Sequence, residues 1–519
     1  MSSMSEDSHA QDAALRNSRQ FSILYLAFPF FLFLFGWIRL TIAIPLALVL
    51  LFTLYRSLFT NSQSPISNNQ PSFLLPFSSS AFYWIFLTVF WLFLSGIGGY
   101  AFQNWDHNWR NAVFHDLIDF RWPIYYAQPE SGPVKMLVYY VGFWLPSAIV
   151  GKLINWQVAN FALFVWSFLG LLLATHHLAS VLKTSNFKAT LFLIFFSGLD
   201  ILGTLFFPQT YPTLFPATTH LEIWAGNLQY SSFTTQLFWV FNQAIPAWLV
   251  ISFIANLAEE KQSDKRSELI LLWSLCFFFA PLASVGLLPY LLIEIIKKTT
   301  FKSPFKHLRW EQLAAAGIIF LLSAFFFTAN TAAQSRGFQS LSFAKFLAFF
   351  LLEGGLFWLV LAPSTYRDPR WVVTGFLLAL IPFIQLGNGR DFVMRASIAP
   401  LFYLMLMTGE AIFNKSVSLV VRYTLIVLLV IGSFTPLYEI NRSIYRTFEY
   451  YVILEPTLFD PPIPEHVTHL EQGVAPEWEH PFTLTADGIV TLQYMTDELS
   501  QNFIANVRQT VFYKYFASR

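Results

Sequence analysis

Charge and cysteine are both scarce in this chain. Only 12% of its 519 residues are Asp, Glu, Lys or Arg, about half of the roughly 25% usual in a soluble globular domain. A water-facing surface of ordinary extent cannot be built from so few ionisable side chains. The formal net charge is +1, so no nucleic-acid partner is implied. One cysteine is present, Cys276, inside an apolar run. That excludes a disulfide framework and leaves a thiolate metal site without ligands. No repeat of fixed period is visible. Residues 1–20 are polar, and no small-residue cleavage site follows the first apolar run. That run is therefore read as a retained helix rather than a signal peptide.

Apolar runs are abundant. Hydrophobic residues make up 55% of the chain, in stretches such as "FSILYLAFPFFLFLFGWI" and "SLVVRYTLIVLLVIGSF". About 18 apolar residues suffice to cross a bilayer as a helix, whereas barrel strands are shorter and alternate. The expected fold is therefore an all-α polytopic membrane protein. Thirteen spans are predicted, at 21–38, 41–57, 80–98, 157–181, 187–206, 234–257, 267–282, 283–296, 310–328, 344–363, 370–386, 392–411 and 417–435. The apolar segment 135–157 is left out as an interfacial or re-entrant helix, on the strength of the basic residues. Without it, Arg16, Arg19, Arg56, Lys183, Lys188, Lys261, Lys265, Arg266, "KKTTFKSPFKHLR", Arg367, Arg370 and Lys415 fall on one side. The positive-inside rule makes that side cytoplasmic. The division is then a cytoplasmic tail (1–20), a transmembrane domain (21–435) with outer loops at 99–156 and 207–233, and a short extracytoplasmic region (436–519). Within the last, "FTLTADGIVTLQYM" predicts a small hairpin.

Polar residues with chemical potential gather in the outer segments. "NWDHNWRNAVFHDL" (104–117) predicts an amphipathic helix from about residue 107, lying along the membrane surface with its polar face in water. It supplies Asp106, a carboxylate able to act as general base or cation ligand, with His107, Arg110 and His115 as substrate contacts. "SGLDILGTLFFP" brings Asp200, an ionisable group costly within a span, as a second catalytic candidate. "THLEIWAGNLQYSS" brings His220 and Glu222, together with Trp224 and Tyr230, whose rings suit a sugar face or a headgroup layer. Asn242 and Gln243 lie in the following span and need partners there. "QLGNGRDFVMRASIAP" brings Arg390, Asp391 and Arg395. The guanidinium groups suit phosphate, although Asp391 and Arg395, four apart, could simply pair with each other. Asp106, His220 and Glu222 are the candidate ligands for a divalent cation, and no other cofactor is expected.

These features resemble the GT-C superfamily of polytopic glycosyltransferases that use polyprenyl-linked sugar donors. "NWDHNWRNAVFHDL" occupies the first outer loop, where such enzymes carry a catalytic acid, and "LPSAIVGKL" (145–153) is similar to a following interfacial segment. The chain departs from the pattern in lacking a tight Asp-Asp or Asp-Glu dipeptide and in having a short C-terminal region. The resemblance implies sugar transfer on the outer face of a bacterial inner membrane, with the N-terminus inside and the C-terminus outside. Its partners would be a polyprenyl-phosphate-linked donor, a lipid or glycan acceptor and membrane lipids. Asp106 would deprotonate the acceptor, Arg395 and Arg390 would hold the leaving phosphate, and Asp200, His220 or Glu222 would hold a cation or position the acceptor. Two other readings stand beside it. A transporter or flippase for a lipid-linked glycan predicts broken helices with ionisable groups near the midplane. A non-catalytic subunit for envelope polysaccharide assembly predicts no deep outer cavity.

Overall fold

The computed structural model describes residues 2–59, 79–104, 106–207, 220–259, 265–299, 308–330, 336–387, 390–414, 416–449 and 502–519. The hairpin expected near 482–495 lies outside them. Apolar helices dominate. α1 (Ser2–Trp37) takes in the polar N-terminal tail as one continuous helix and is followed by α2 (Leu40–Phe59) and α3 (Ser79–Leu94). The segment after α3 then forms α4 (Asp106–Asp119), β1 (Tyr125–Ala127), β2 (Lys135–Leu137) and α5 (Leu145–Leu153). The segment 135–157 is thus a strand, a turn and a nine-residue helix. At 1.5 Å per residue that helix is far too short for a hydrocarbon core about 30 Å thick.

The bundle continues with α6 (Trp156–Leu182), begun by the Asn155 side chain accepting from Val158 N–H, and α7 (Asn186–Phe195), begun in the same way by Ser185. After these come α8 (Asp200–Phe206), α9 (Phe233–Glu259), α10 (Arg266–Phe279), α11 (Pro281–Lys298) and α12 (Trp310–Phe327). The remaining elements are β3 (Arg336–Phe338), α13 (Phe343–Phe350), α14 (Leu356–Thr365), α15 (Pro369–Leu380), β4 (Ile384–Leu386), α16 (Asp391–Ala396), α17 (Ile398–Phe413), α18 (Leu419–Gly432), α19 (Phe434–Phe448) and β5 (Ile504–Asn506). Among the described residues, nine helical segments are long and apolar enough to cross a membrane. They cover nine of the thirteen expected spans. Two more expected spans are the shorter apolar helices at Ser79–Leu94 and Pro369–Phe383, and the other two are α10 and α11.

Three of the long helices are interrupted where the sequence predicts continuity. Between α7 and α8 the chain is extended at Phe196, and Leu199 N–H donates to Leu352 O at 2.8 Å. Leu352 lies in a π-turn, Leu351–Gly355, that separates α13 from α14. The two interruptions therefore brace each other, which satisfies backbone groups that have no other partner inside a membrane. Gly198 is required at this contact, because a Cβ there would sit 2.4 Å from Glu353 Oε2. The third interruption is a kink in α9 at Val240 (φ −136°, ψ 36°).

Side-chain contacts sort the two ends of the bundle. At one end Arg19 meets Asn256, Arg56 meets Glu311, Lys183 meets Glu259, and Arg370 forks onto Glu410. At the other, β5 pairs antiparallel with β2, Asn330 donates to Val138 O and Asn502 O, and Arg39 Nε donates to Ala517 O. Residues 502–519 thus close over the α4–α5 segment and the α1–α2 connection.

Candidate functional site

Asp106 opens α4 and is partly exposed, its side chain 26% accessible. Arg110 Nη2, one turn along and buried, donates to Asp106 Oδ2 at 3.0 Å. Arg110 Nε also donates to Asn242 Oδ1 in α9 at 3.4 Å. Asn104 Nδ2 and His107 Nε2 both donate to Phe238 O, at 2.6 and 3.0 Å, just before the α9 kink. Burial, with Arg110 beside it, lowers the His107 pKa to about 3. His107 is therefore a neutral donor to a carbonyl rather than a proton carrier.

The polar face of α4 meets water only in part, at the exposed Asp119 and the half-buried Asn111. His107, Arg110, His115 and Asp116 are all buried. The rest of the helix is covered by α9, α5 and the C-terminal residues, Trp109 stacking on Phe503 at 6.0 Å. Partners within the protein make that burial tolerable. His115 turns away from Asp106, packs on Trp156 and pairs with Asp119 at 3.3 Å. Asp116 accepts from the Tyr126 hydroxyl at 2.6 Å.

Asp391 and Arg395, in α16, do form the i,i+4 ion pair. Arg395 is buried, and its Nε has no hydrogen-bond partner among the described residues. The two sequence segments converge at Tyr139, whose burial raises its pKa and on which the charges of Arg110, Arg395, Asp391 and Asp106 all act.

A second polar group adjoins the first. His220 Nδ1 and Glu439 Oε1 are 2.5 Å apart, and His220 Nε2 is 3.7 Å from Glu222 Oε2. Glu222 accepts from Ser232 N–H and from Gln229 Nε2, each at 2.8 Å. Arg390 Nη1 donates to Gln229 Oε1 at 3.0 Å. Burial raises Glu222 to about 7, His220 opposing and Asp200 reinforcing the shift. Burial would lower His220, but Glu439 and Glu222 raise it overall. Arg442 lies over the rings of Phe102 and Trp239, at 5.3 and 5.5 Å. Phe238 and Trp239, neighbours at the kink, belong one to each group.

Deeper in, Asp200 accepts from Ser197 Oγ at 3.2 Å and Thr435 Oγ1 at 2.9 Å. Trp224 Nε1 donates to Glu353 Oε1 at 2.8 Å, and the Tyr230 hydroxyl donates to Leu378 O at 2.7 Å. Both rings are buried. Trp224 and Tyr230 are thus packing residues with satisfied polar tips, not an exposed platform for a sugar or a headgroup. The three expected cation ligands are likewise engaged, Asp106 by Arg110 and the His220–Glu222 pair by Glu439 and Gln229. Among the described residues no group of three or more His, Cys, Asp and Glu side chains could hold a metal ion.

Glu353, Glu439 and Arg442 were not singled out from sequence. Glu353 carried a signal, a lone acid inside the apolar run "FFLLEGGLFWL". Glu439 and Arg442 carried a weaker one, because they sit in the segment read as the start of the extracytoplasmic region. α19 instead buries Tyr438, Glu439 and Arg442 against the bundle. No protein-family model matches the chain, and neither a curated protein nor a solved structure matches it.

Proposed function

We propose that this protein is a glycosyltransferase that moves a sugar from a polyprenyl-phosphate-linked donor to an acceptor at the outer face of a bacterial cytoplasmic membrane. Thirteen crossings with the basic end inside complete the reading, by the positive-inside rule. One observation carries it: a partly exposed carboxylate, Asp106, shares a neighbourhood around Tyr139 with the cations Arg110 and Arg395. In the reaction, Asp106 takes the proton of the acceptor hydroxyl. The freed oxygen bonds to the anomeric carbon as the bond from that carbon to the phosphate oxygen breaks. The prenyl phosphate leaves with the bonding pair, and the guanidinium groups of Arg395 and Arg390 meet its charge. Arg395 keeps an Nε–H without a protein acceptor among the described residues, as an anion ligand requires. Such proton transfer contributes about 10²- to 10⁴-fold in rate.

Mass spectrometry of lipid copurified with the Asp106→Asn protein tests the donor class. Enrichment of a sugar-bearing prenyl phosphate is expected, since binding survives and turnover stops. Bulk phospholipid alone would contradict it.

The interrupted helices favour a second reading, transport of a lipid-linked glycan. Asp200 and Glu353 are buried where α7–α8 and α13–α14 break, and such breaks mark substrate pathways in transporters. Translocation by proteoliposomes that Asp200→Asn abolishes and Asp106→Asn spares would establish this reading in place of the first.

A further inference from the structure

The outer half of α9 carries polar groups that its own helix does not satisfy. The kink at Val240 is followed by Asn242 and Gln243, both fully buried in a membrane-spanning helix. Pro246 has no N–H to offer the carbonyl of Asn242, one helical turn back. The Asn242 side chain is fixed by Arg110, which donates to its Oδ1, yet its Nδ2 has no partner among the described residues. Among the same residues Gln243 has none for either Nε2 or Oε1. Three unmatched amide atoms on consecutive residues are costly in a buried, membrane-embedded position. They are also a mixed set, two donors and one acceptor. That suits hydroxyl groups, each of which can donate and accept, and does not suit an anion or a cation. Arg110 joins Asn242 to Asp106 directly, so the Asn242 amide lies one side chain away from the partly exposed carboxylate, and Gln243 is the next residue along α9.

We propose that Asn242 and Gln243 bind the hydroxyl groups of the sugar, as the amide floor of the site whose rim is Asp106 and Arg110. The inference rests on the glycosyl-transfer reading and adds to it the residues that recognise the sugar as distinct from its phosphate.

The test uses the purified full-length protein in detergent. The probes are a synthetic ten-carbon prenyl phosphate and the same compound esterified to glucose, galactose, mannose or N-acetylglucosamine. Thermal unfolding is followed with each probe in turn. Wild type is expected to be stabilised more by at least one sugar-bearing probe than by the bare phosphate. Gln243→Met and Gln243→Leu keep similar volume and break no hydrogen bond present in the structure, so they should melt at or above the wild-type temperature without ligand. With the preferred sugar, their apparent affinity should fall about three- to tenfold for each hydrogen bond lost, while affinity for the bare phosphate is unchanged. An undiminished sugar preference in both variants would overturn the inference and leave the glycosyl-transfer reading standing. A lower melting temperature without ligand in both would also overturn it, because the amide would then serve the fold. No sugar preference in wild type for any probe would overturn both.

Discussion

Glu222 is a carboxyl group with two hydrogen-bond donors and almost no water, and its titration should be felt in stability. Its folded pKa, about 7, lies above the ordinary carboxylate value. The folded state therefore holds a proton that the unfolded chain releases. That contribution is full below the ordinary carboxylate range and is lost as pH rises towards 7. His220, also raised, acts with the same sign, its contribution disappearing as pH climbs through its folded value. The melting temperature is thus expected to fall between pH 5 and 8, and Glu222→Gln should flatten that decline. A variant with the wild-type slope would show that Glu222 does not titrate there. Glycine gives a second residue-scale test. Gly198→Ala would bring a Cβ within 2.4 Å of Glu353 Oε2 and 3.0 Å of Glu353 Cα, a clash expected to cost about 1–3 kcal/mol. Gly317→Ala in α12 meets nothing within 4 Å and should be neutral or stabilising by up to about 1 kcal/mol. Equal melting temperatures for the two variants would argue against the packing of α8 on the π-turn.

Helices are where the sequence was most and least informative. Long apolar runs located α2, α6, α12 and the apolar part of α1 within a few residues, because crossing a membrane demands both length and apolarity. The breaks left little trace. "FFSGLDILG" stays apolar through the α7–α8 interruption, and the π-turn is marked only by "LEGG". Each break depends on the other for its backbone partner, a non-local fact that no single segment records. α4 was misjudged for a related reason: its polar residues look solvated until Phe238 O, Asn242 and Tyr126 are brought to them. Arg110 is the tie between α4 and α9, and its loss can be distinguished from loss of the carboxylate it holds. Arg110→Met leaves Asn242 Oδ1 without its donor and should lower the melting temperature by several degrees. Asp106→Asn keeps an amide oxygen as acceptor for Arg110 Nη2 and should melt closer to wild type than Arg110→Met does. Identical melting of the two variants would mean that Arg110 does not anchor α4.

Across the whole molecule, Arg19, Arg56, Lys183 and Arg370 mark one end, and the candidate site with Arg110, Arg390, Arg395 and Arg442 lies at the other. The pairing of β5 with β2 could not be read from the local pattern of either strand, because more than 360 residues separate them. That pairing puts Ser518 at the same end as Asp106 and Ser185 at the opposite end. Cysteines introduced at these two positions should react differently with an impermeant thiol reagent in intact cells, the native Cys276 being buried. Labelling at 518 and none at 185 is expected, and the reverse would invert the proposed orientation. The candidate site was legible as four polar segments on one side, but Glu353, Glu439 and Arg442 needed the fold to join them. The central claim is that Asp106 is the base of a sugar transfer, and turnover by the purified Asp106→Asn protein tests it most directly. With a sugar-bearing prenyl phosphate donor, and with folding matched to wild type by melting temperature, transfer should fall at least about 100-fold while donor binding is retained. Transfer at the wild-type rate would contradict the account.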